Sequence, residues 1–299
     1  MTRKALIVVN PTVGESALAA LREALGRHFG AAGIDYEFRE THPGEKIGEV
    51  VRAAQGRGCT LVVAAGGDGT ISAACEGLAG GEMPIGIVPI GTGNLVAREL
   101  EIPLDTDAAV ALIAGAPATR RIDAMRVGGR ICLLNVGVGI SATVAGDTTP
   151  KDKKRFGRLA YVGPTILAIL GFKSRRLLVA LDGKAREYRA VEVTVMNCGI
   201  LARMLHLSGP VIRVDDGHLD IWVLRMRTLF DFPRYVFERL AGGAVKPLSV
   251  ALTAEKRVII RSRRPQPVQA DGDVIGTTPV EIEVLPRAIP VLVPREKST

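Results

Sequence analysis

The chain has 299 residues, 47% of them hydrophobic and 23% charged, which is enough to bury a sizeable core and too apolar for extensive disorder. Lys and Arg number 39 against 31 Asp and Glu, so the net charge of +8 favours anionic partners such as phosphates, nucleotides or acidic lipid surfaces, without choosing among them. Aromatics make up only 4%, which leaves few stacking platforms for single-stranded nucleic acid, and no nucleic-acid partner is expected.

The first third alternates strand and helix. KALIVV (4–9) is a compact apolar strand; SALAALREALGRHFG (16–30) has helical spacing at Leu18, Leu21 and Leu25; DYEFRE (35–40) alternates like a strand; EKIGEVVRAAQGRG (45–58) is helical again. TLVVAA (60–65) and PIGIVPI (84–90) add two buried strands. This order predicts an α/β domain over residues 1–120, with a parallel sheet and helices on both faces.

Beyond about residue 120 the texture changes. ATRRIDAMRV, GGRICLLNVGVG, RLLVALDG, KAREYRAVEVTVMN, HLDIWVLR, LSVALTAEKRVIIRS and TPVEIEVLP are strand-like runs, with turn signals at VGGR and LDGK. Helical pattern persists mainly at 158–172 and 229–241. Residues 121–295 are therefore expected to form a mostly antiparallel, β-sandwich-like domain. The apolar run LAYVGPTILAILGF (159–172) is broken by Gly163 and Pro164 and is too short to span a bilayer, and MTRKALIVVNP has too short an apolar run for a signal peptide. Cys59, Cys75, Cys132 and Cys198 sit in apolar runs without a C-x-x-C pair, as buried thiols of a reducing compartment do. A cytoplasmic chain is expected, with membrane contact only from the inner surface.

Three glycine-rich loops each follow a strand and open a helix. In VVAAGGDGTISAACEG, the residues Gly66, Gly67, Asp68, Gly69 and Thr70 put unshielded backbone N–H groups and a helix start at the carboxyl edge of the sheet, where α/β proteins bind phosphorylated ligands. Beside a polyphosphate an acidic side chain repels unless it holds a cation or works on a proton, so Asp68 points to Mg²⁺ or to a substrate hydroxyl. The plainer alternative is a βα turn capped by Asp68 or Thr70. VVNPTVGES carries Asn10, Pro11 and Gly14; VPIGTGNLVAREL carries Gly91, Thr92, Gly93 and Asn94. In a parallel sheet the three loops share one edge and can converge on one ligand.

Other site chemistries lack their residues. There is no G-x-x-x-x-G-K-[ST], G-x-S-x-G or H-E-x-x-H, and His28, His42, His206 and His218 have no metal-ligand spacing. GVGISA (137–142) fits G-x-G-x-x-A but lacks the acidic residue that a dinucleotide site needs about 20 residues on.

Taken in order, NPTVG, GGDGT, GTGN followed by AR, DDGHLDI (215–221) and ADGD (270–273) resemble the diacylglycerol kinase catalytic family, the bacterial lipid kinases related to sphingosine kinases, over nearly the whole chain. The resemblance implies ATP-dependent phosphorylation of a lipid hydroxyl. It implies nucleotide contacts from Asn10, Pro11, Thr12, Val13 and Gly14, from Thr41, from the loop Gly66, Gly67, Asp68, Gly69, Thr70, Ile71 and Ser72, and from Thr92, Gly93 and Asn94. A structural Mg²⁺ is implied on the Asp216 side chain and the carbonyls of Arg213 and His218, although Asp215-Asp216-Gly217 also reads as a hairpin turn. The implied catalytic base is Asp273, with Asp271 its rival, and Asp271-Gly272 is also a favoured turn pair. Three departures from the family stand out: Val13 where serine is usual, no lysine closely following the first loop, and Asp273 where glutamate is usual. A kinase of a soluble substrate such as NAD, and a carrier without activity, remain alternatives.

The basic clusters KDKKRFGR (151–158), KSRR (173–176) and RSRR (261–264) are either solvated faces or a means of holding an anionic membrane. An exposed edge strand in the second domain would allow a homodimer.

Overall fold

The computed structural model describes residues 3–42, 44–115, 117–147, 174–204, 211–226 and 249–295, together with 231, 234 and 237. The basic cluster 151–158, the apolar run 159–172, His206 and most of the helical pattern at 229–241 lie outside the described residues. Two compact units are present: Met1–Ala124 with Pro286–Thr299, and Met125–Leu285.

In the first unit, β1 (Lys4–Val9), β2 (Asp35–Glu40), β3 (Leu61–Gly66) and β4 (Ile85–Pro89) are all parallel, in the order β2-β1-β3-β4. The chain between them forms α1 (Glu15–Ala31), α2 (Ile47–Gly56) and α3 (Asp68–Cys75), and after β4 come α4 (Leu95–Glu99) and α5 (Thr106–Ala114). Strands β1, β3 and β4 are buried almost throughout, as expected for a sheet covered on both faces. Ile7, Val9 and Val63 pack against Leu25 and Phe29 of α1 and Ile113 of α5. The alternate residues Leu6, Val8, Val62 and Ala64 are equally buried, on the face of α2 and α3. Those two helices approach closely at Gly48 and Gly77: a Cβ on Gly48 would stand 2.8 Å from Glu76 Cβ, and one on Gly77 2.8 Å from Val51 Cβ.

The second unit is built from β5 (Ala118–Val127), which enters it, β6 (Arg130–Cys132), β7 (Asn135–Gly139), α6 (Ile140–Asp147), β8 (Arg175–Leu181), β9 (Lys184–Ala190), β10 (Glu192–Met196), α7 (Gly199–Met204), β11 (Leu219–Leu224), β12 (Ser249–Ala254), β13 (Arg257–Ser262), β14 (Pro267–Ala270), β15 (Asp273–Thr277) and β16 (Val280–Val293). One sheet runs β16-β13-β8-β9 with β5 and β6 alongside; the other runs β12-β11-β10-β7-β14-β15 and is antiparallel. Their inward residues, Val179, Val258 and Ile282 from one and Val138, Val195 and Ile221 from the other, share one core. This is the β-sandwich expected from the alternating runs.

Two features differ from a strand-by-strand reading. LSVALTAEKRVIIRS is not one strand: it breaks at Glu255-Lys256 and passes from one sheet to the other. The Asp182 carboxylate holds that crossing, accepting the N–H groups of Glu255, Lys256 and Arg257 at 2.8–2.9 Å. The last strand, read as ending near Pro286, continues to Val293, and its Val291 stands parallel to Ile85 of β4 in the first unit's sheet.

Candidate active site

Parallel strands bring the loops after β1, β2, β3 and β4 to one edge, and the order β2-β1-β3 makes the junction of β1 and β3 the point where connections diverge. Ligands of open α/β sheets bind at such a point. The loops are stitched together there. Asn10 N donates to Ala65 O (3.3 Å), Asn10 Nδ2 to Thr70 Oγ1 (3.5 Å), and Thr41 donates to Val9 O through both its N–H and its hydroxyl. Gly67 and Gly91 touch backbone to backbone, and a Cβ on Gly91 would collide with Gly67 Cα.

Each residue expected at a nucleotide site can now be placed. Asn10 caps the turn Pro11–Val13 by accepting from Thr12 N and Thr12 Oγ1. Gly14 has φ +91°, which requires glycine, and precedes α1 with no side-chain cap. Pro11, Thr12, Gly14, Gly69 and Thr92 are exposed; Val13, Gly67, Asp68 and Gly93 are half-buried. Thr41, Gly66, Thr70, Ile71, Ser72 and Asn94 are buried. Gly66 is glycine because a Cβ would come within 2.6 Å of Thr70 Oγ1. Gly69 is different. A Cβ there would meet nothing within 4 Å, and its φ is unexceptional, so the space above it is left open.

Asn94 and Asp68 have structural work inside the loops. Asn94 takes a left-handed conformation (φ 50°), donates to Pro89 O (2.9 Å) and Gly91 O (2.8 Å), and accepts from Gly91 N (3.0 Å). It folds its own loop, and its side chain is spent on that. Asp68 opens α3, and its Oδ1 accepts from Val96 N at 2.9 Å, so it caps α4 and not its own helix. Its Oδ2 lies beside Gly93, 3.1 Å from where a Cβ would be. Arg98, the arginine of the AR pair behind GTGN, is given no site role by the sequence. Exposed, it donates from Nε to Gly93 O (3.2 Å) and puts a cation beside the GTGN loop.

The starts of α1 and α3 are thus uncapped by side chains and lie at the ends of adjacent strands. Free N–H groups and the positive end of the helix dipole make such a place favourable for phosphate oxygens.

In the second unit, Asp271 and Gly272 (φ 48° and 89°) form the two-residue turn of the hairpin β14–β15, the conformation an Asp-Gly pair favours. The Asp271 carboxylate accepts the N–H groups of Leu133, Leu134 and Asn135 at 2.9–3.1 Å. This matches the device at Asp182, also in an Asp-Gly turn (φ 48° and 90°). Burial works against the charged form of Asp182, but its three backbone donors hold its pKa below the usual range. Asp273, the first residue of β15, is exposed.

The stretch 211–218 precedes β11. Asp216 Oδ1 accepts from His218 N (3.1 Å), and the His218 ring lies 2.7 Å from Asp216 O, a contact that raises its pKa. Asp220, 7% exposed on β11, is pushed up to about 6, first by burial and then by the charge of Asp216. Among the described residues no group of three His, Cys, Asp or Glu side chains gathers in a way that could hold a metal ion. A small hard cation held by one carboxylate, two carbonyls and water needs no such group.

Comparison with known proteins fits this geometry. Residues 4–127 match the model of the diacylglycerol kinase catalytic domain, and residues 135–293 match that of the YegS C-terminal NAD kinase beta sandwich-like domain. The chain belongs to the diacylglycerol kinase catalytic family. It is similar to the diacylglycerol kinase of Bacillus subtilis (strain 168), with 29% identity over 99% of this chain and 98% of that one. It is also similar to the diacylglycerol kinase of Mycobacterium tuberculosis (strain H37Rv), with 28% identity over 98% and 96%. A crystal structure of a diacylglycerol kinase from Bacillus anthracis str. Sterne shares the fold, with a TM-score of 0.74 at 24% identity and 97% of each chain covered. Membership in this diacylglycerol kinase-like family of lipid kinases makes the chain a kinase. Among the described residues no helix is long and apolar enough to cross a membrane.

Proposed function

We propose that this kinase transfers the terminal phosphoryl group of ATP to the hydroxyl of a diacylglycerol or a related lipid, with Mg²⁺. The observation that carries the reading is the edge of the first sheet, where two uncapped helix starts and the open space over Gly69 meet at the divergence of β1 and β3. The names of the relatives support the lipid acceptor.

When bound, Mg·ATP supplies the phosphoryl group and a cation that offsets the charge gathering on its oxygens. The chain's own residues do the rest. Backbone amides at the starts of α1 and α3 bind phosphate oxygens, and Thr12 and Thr92 in the neighbouring loops are exposed residues. No lysine follows the first loop closely, and Arg98 provides a positive charge at the GTGN loop instead. Asp68 keeps that loop in register through Val96 N and directs its other oxygen toward Gly93, where it orients the nucleotide's cation.

Asp273 accepts the proton of the attacking hydroxyl. Asp271 is a poor candidate for that role, because three backbone N–H groups already bind its carboxylate; it fixes the turn from which Asp273 departs. The segment Arg213–His218 would hold a second, structural Mg²⁺ through the Asp216 carboxylate and the carbonyls of Arg213 and His218.

The experiment is label transfer from ATP to extracted lipids, with NAD as a competing acceptor and Asp273→Ala as control. Labelled lipid that disappears in the variant is expected. Labelled NAD would move the reading to a soluble substrate, and nucleotide binding without any labelled acceptor would favour a carrier.

A further inference from the structure

The outer face of the sheet β16-β13-β8-β9 is divided in its charges. Toward one end the pairing is complete: Arg257 Nη1 meets Glu281 Oε1 at 3.0 Å, and Arg126 Nη1 meets Glu283 Oε2 at 2.7 Å. Toward the other end arginines gather around a single acid on the paired strands, Glu187. Arg176 on β8 stands directly opposite Arg189 on β9, and Leu178, two residues on, stands opposite Glu187 on one side and Arg261 on the other. Arg175 opens the strand on the opposite side from Arg176, in register with Ala190, and Arg263 and Arg264 follow β13 in an exposed bend.

All six arginines are exposed. Arg175, Arg189, Arg261, Arg263 and Arg264 form no ion pair with any described residue, and Arg176 has only Glu187 at 3.7 Å. Like charges directly opposite in an antiparallel ladder are destabilising, and against the facing of Arg176 and Arg189 the described residues set only the exposed Glu187, 3.7 Å from Arg176. Leu178, an outward-facing apolar side chain, is 38% exposed in the middle of this cluster.

We infer that this arginine end of the sheet binds the surface of an anionic phospholipid bilayer. Guanidinium groups pair with phosphate oxygens in forked geometry, and each basic side chain near such a surface adds attraction that salt screens. Leu178 contributes an apolar contact at the headgroup boundary, which a highly charged polymer would not use. The aromatic of β9, Tyr188, is buried in the core and faces away, so the surface offers no ring for base stacking. The inference rests on the proposed lipid acceptor for its purpose: a surface that adsorbs to the bilayer keeps the kinase where a diacylglycerol resides.

The test is sedimentation of the full-length chain, without nucleotide, with phosphatidylcholine vesicles or with phosphatidylcholine–phosphatidylglycerol vesicles. The expected result is binding to the mixed vesicles only, reversed by salt. The triple variant Arg176→Glu/Arg189→Glu/Arg261→Glu should partition at least about a hundredfold more weakly. Leu178→Ala should lose a few-fold, and the double variant Arg126→Ala/Glu283→Ala, at the paired end, should bind as the parent does. Melting curves establish that each variant is folded; should the triple variant fail that check, the single reversal Arg189→Glu replaces it, with a loss of about fivefold expected. Equal binding to both vesicle types, unchanged binding by the reversed variant, or tighter binding to a duplex oligonucleotide than to mixed vesicles would overturn the inference. Lipid phosphorylation in neutral detergent micelles is measured separately, so the kinase reading and the membrane surface can fail independently.

Discussion

The Oδ1 atom of Asp68 accepts the backbone N–H of Val96 at 2.9 Å, joining the GGDGT loop to the helix that follows the GTGN loop. In the proposed function this carboxylate has two separable tasks: a helix cap, which needs only an acceptor oxygen, and a negative charge beside a cation. Asp68→Asn keeps the first and removes the second. Its melting midpoint should stay near that of the parent, while label transfer from ATP falls by about 10²–10³-fold. Asp68→Ala loses both tasks and should also lose about 1 kcal/mol of stability by denaturant titration.

Asp271 and Asp273 are separated by one glycine and should fail in opposite ways. Asp271→Ala leaves the N–H groups of Leu133, Leu134 and Asn135 without their acceptor, and the chain should lose at least about 2 kcal/mol of stability. Asp273→Ala touches an exposed side chain, so the melting curve should hold while transfer drops by about 10²–10⁴-fold. If Asp273→Ala keeps full transfer, the base has been assigned to the wrong residue.

Gly91→Ala tests the approach of the two glycine loops. The new Cβ would run into Gly67 Cα and come within 2.9 Å of Asn94 Oδ1, so backbone must move at the edge where the nucleotide is proposed to bind. A cost of about 1–3 kcal/mol is expected, together with loss of ATP affinity by calorimetry. Gly69→Ala is the comparison: it meets no protein atom, so stability should barely change while ATP affinity falls.

These residues also show what a sequence reveals. The glycines at 66–69 and 91–93 and the apolar strands before them are local signals, and they placed the parallel sheet and the loops at its carboxyl edge. Asn94 was legible as a loop residue but not as the one that folds the loop, since its partners are backbone atoms of Pro89 and Gly91. Asp271 was legible as a turn, yet its carboxylate binds amides about 136 residues away, and no periodicity encodes such a partner. The same limit hid the course of β16 beyond Pro286, whose neighbour Ile85 lies about 200 residues earlier in the chain. Arg98 was legible as part of the AR pair behind GTGN, but not as the side chain that donates to Gly93 O.

The site at 213–218 predicts a metal response that does not depend on catalysis. If Mg²⁺ binds the folded segment through Asp216, the parent's melting midpoint should rise with Mg²⁺ concentration, because a ligand of the native state alone stabilises it by mass action. Asp216→Asn should abolish the rise. Na⁺ at matched ionic strength is the control; an equal rise with Na⁺ would mean that screening, and not a site, is responsible.

Glu192 provides a pH dependence whose sign can be worked out. Its Oε2 accepts Ser141 N at 2.9 Å, and its Oε1 accepts Ser141 Oγ at 2.6 Å and Thr194 Oγ1 at 2.9 Å, fastening the start of α6 to β10. Burial pushes its pKa above the ordinary 4.5, and these bonds only partly pull it back. A carboxyl raised in the folded state binds its proton more tightly there than in the unfolded chain. Its contribution is thus complete below pH 4.5 and is lost as pH rises through the folded value, by about 1.4 kcal/mol per unit of separation. Glu192→Gln keeps an acceptor oxygen for Ser141 N and cannot ionise. Denaturant titrations from pH 4 to pH 8 should therefore show a flatter stability profile for the variant, with the two proteins closest at the acid end. A parallel pair of profiles would mean that Glu192 titrates alike in the folded and unfolded chains, and that its hydrogen bonds fully cancel the effect of its burial.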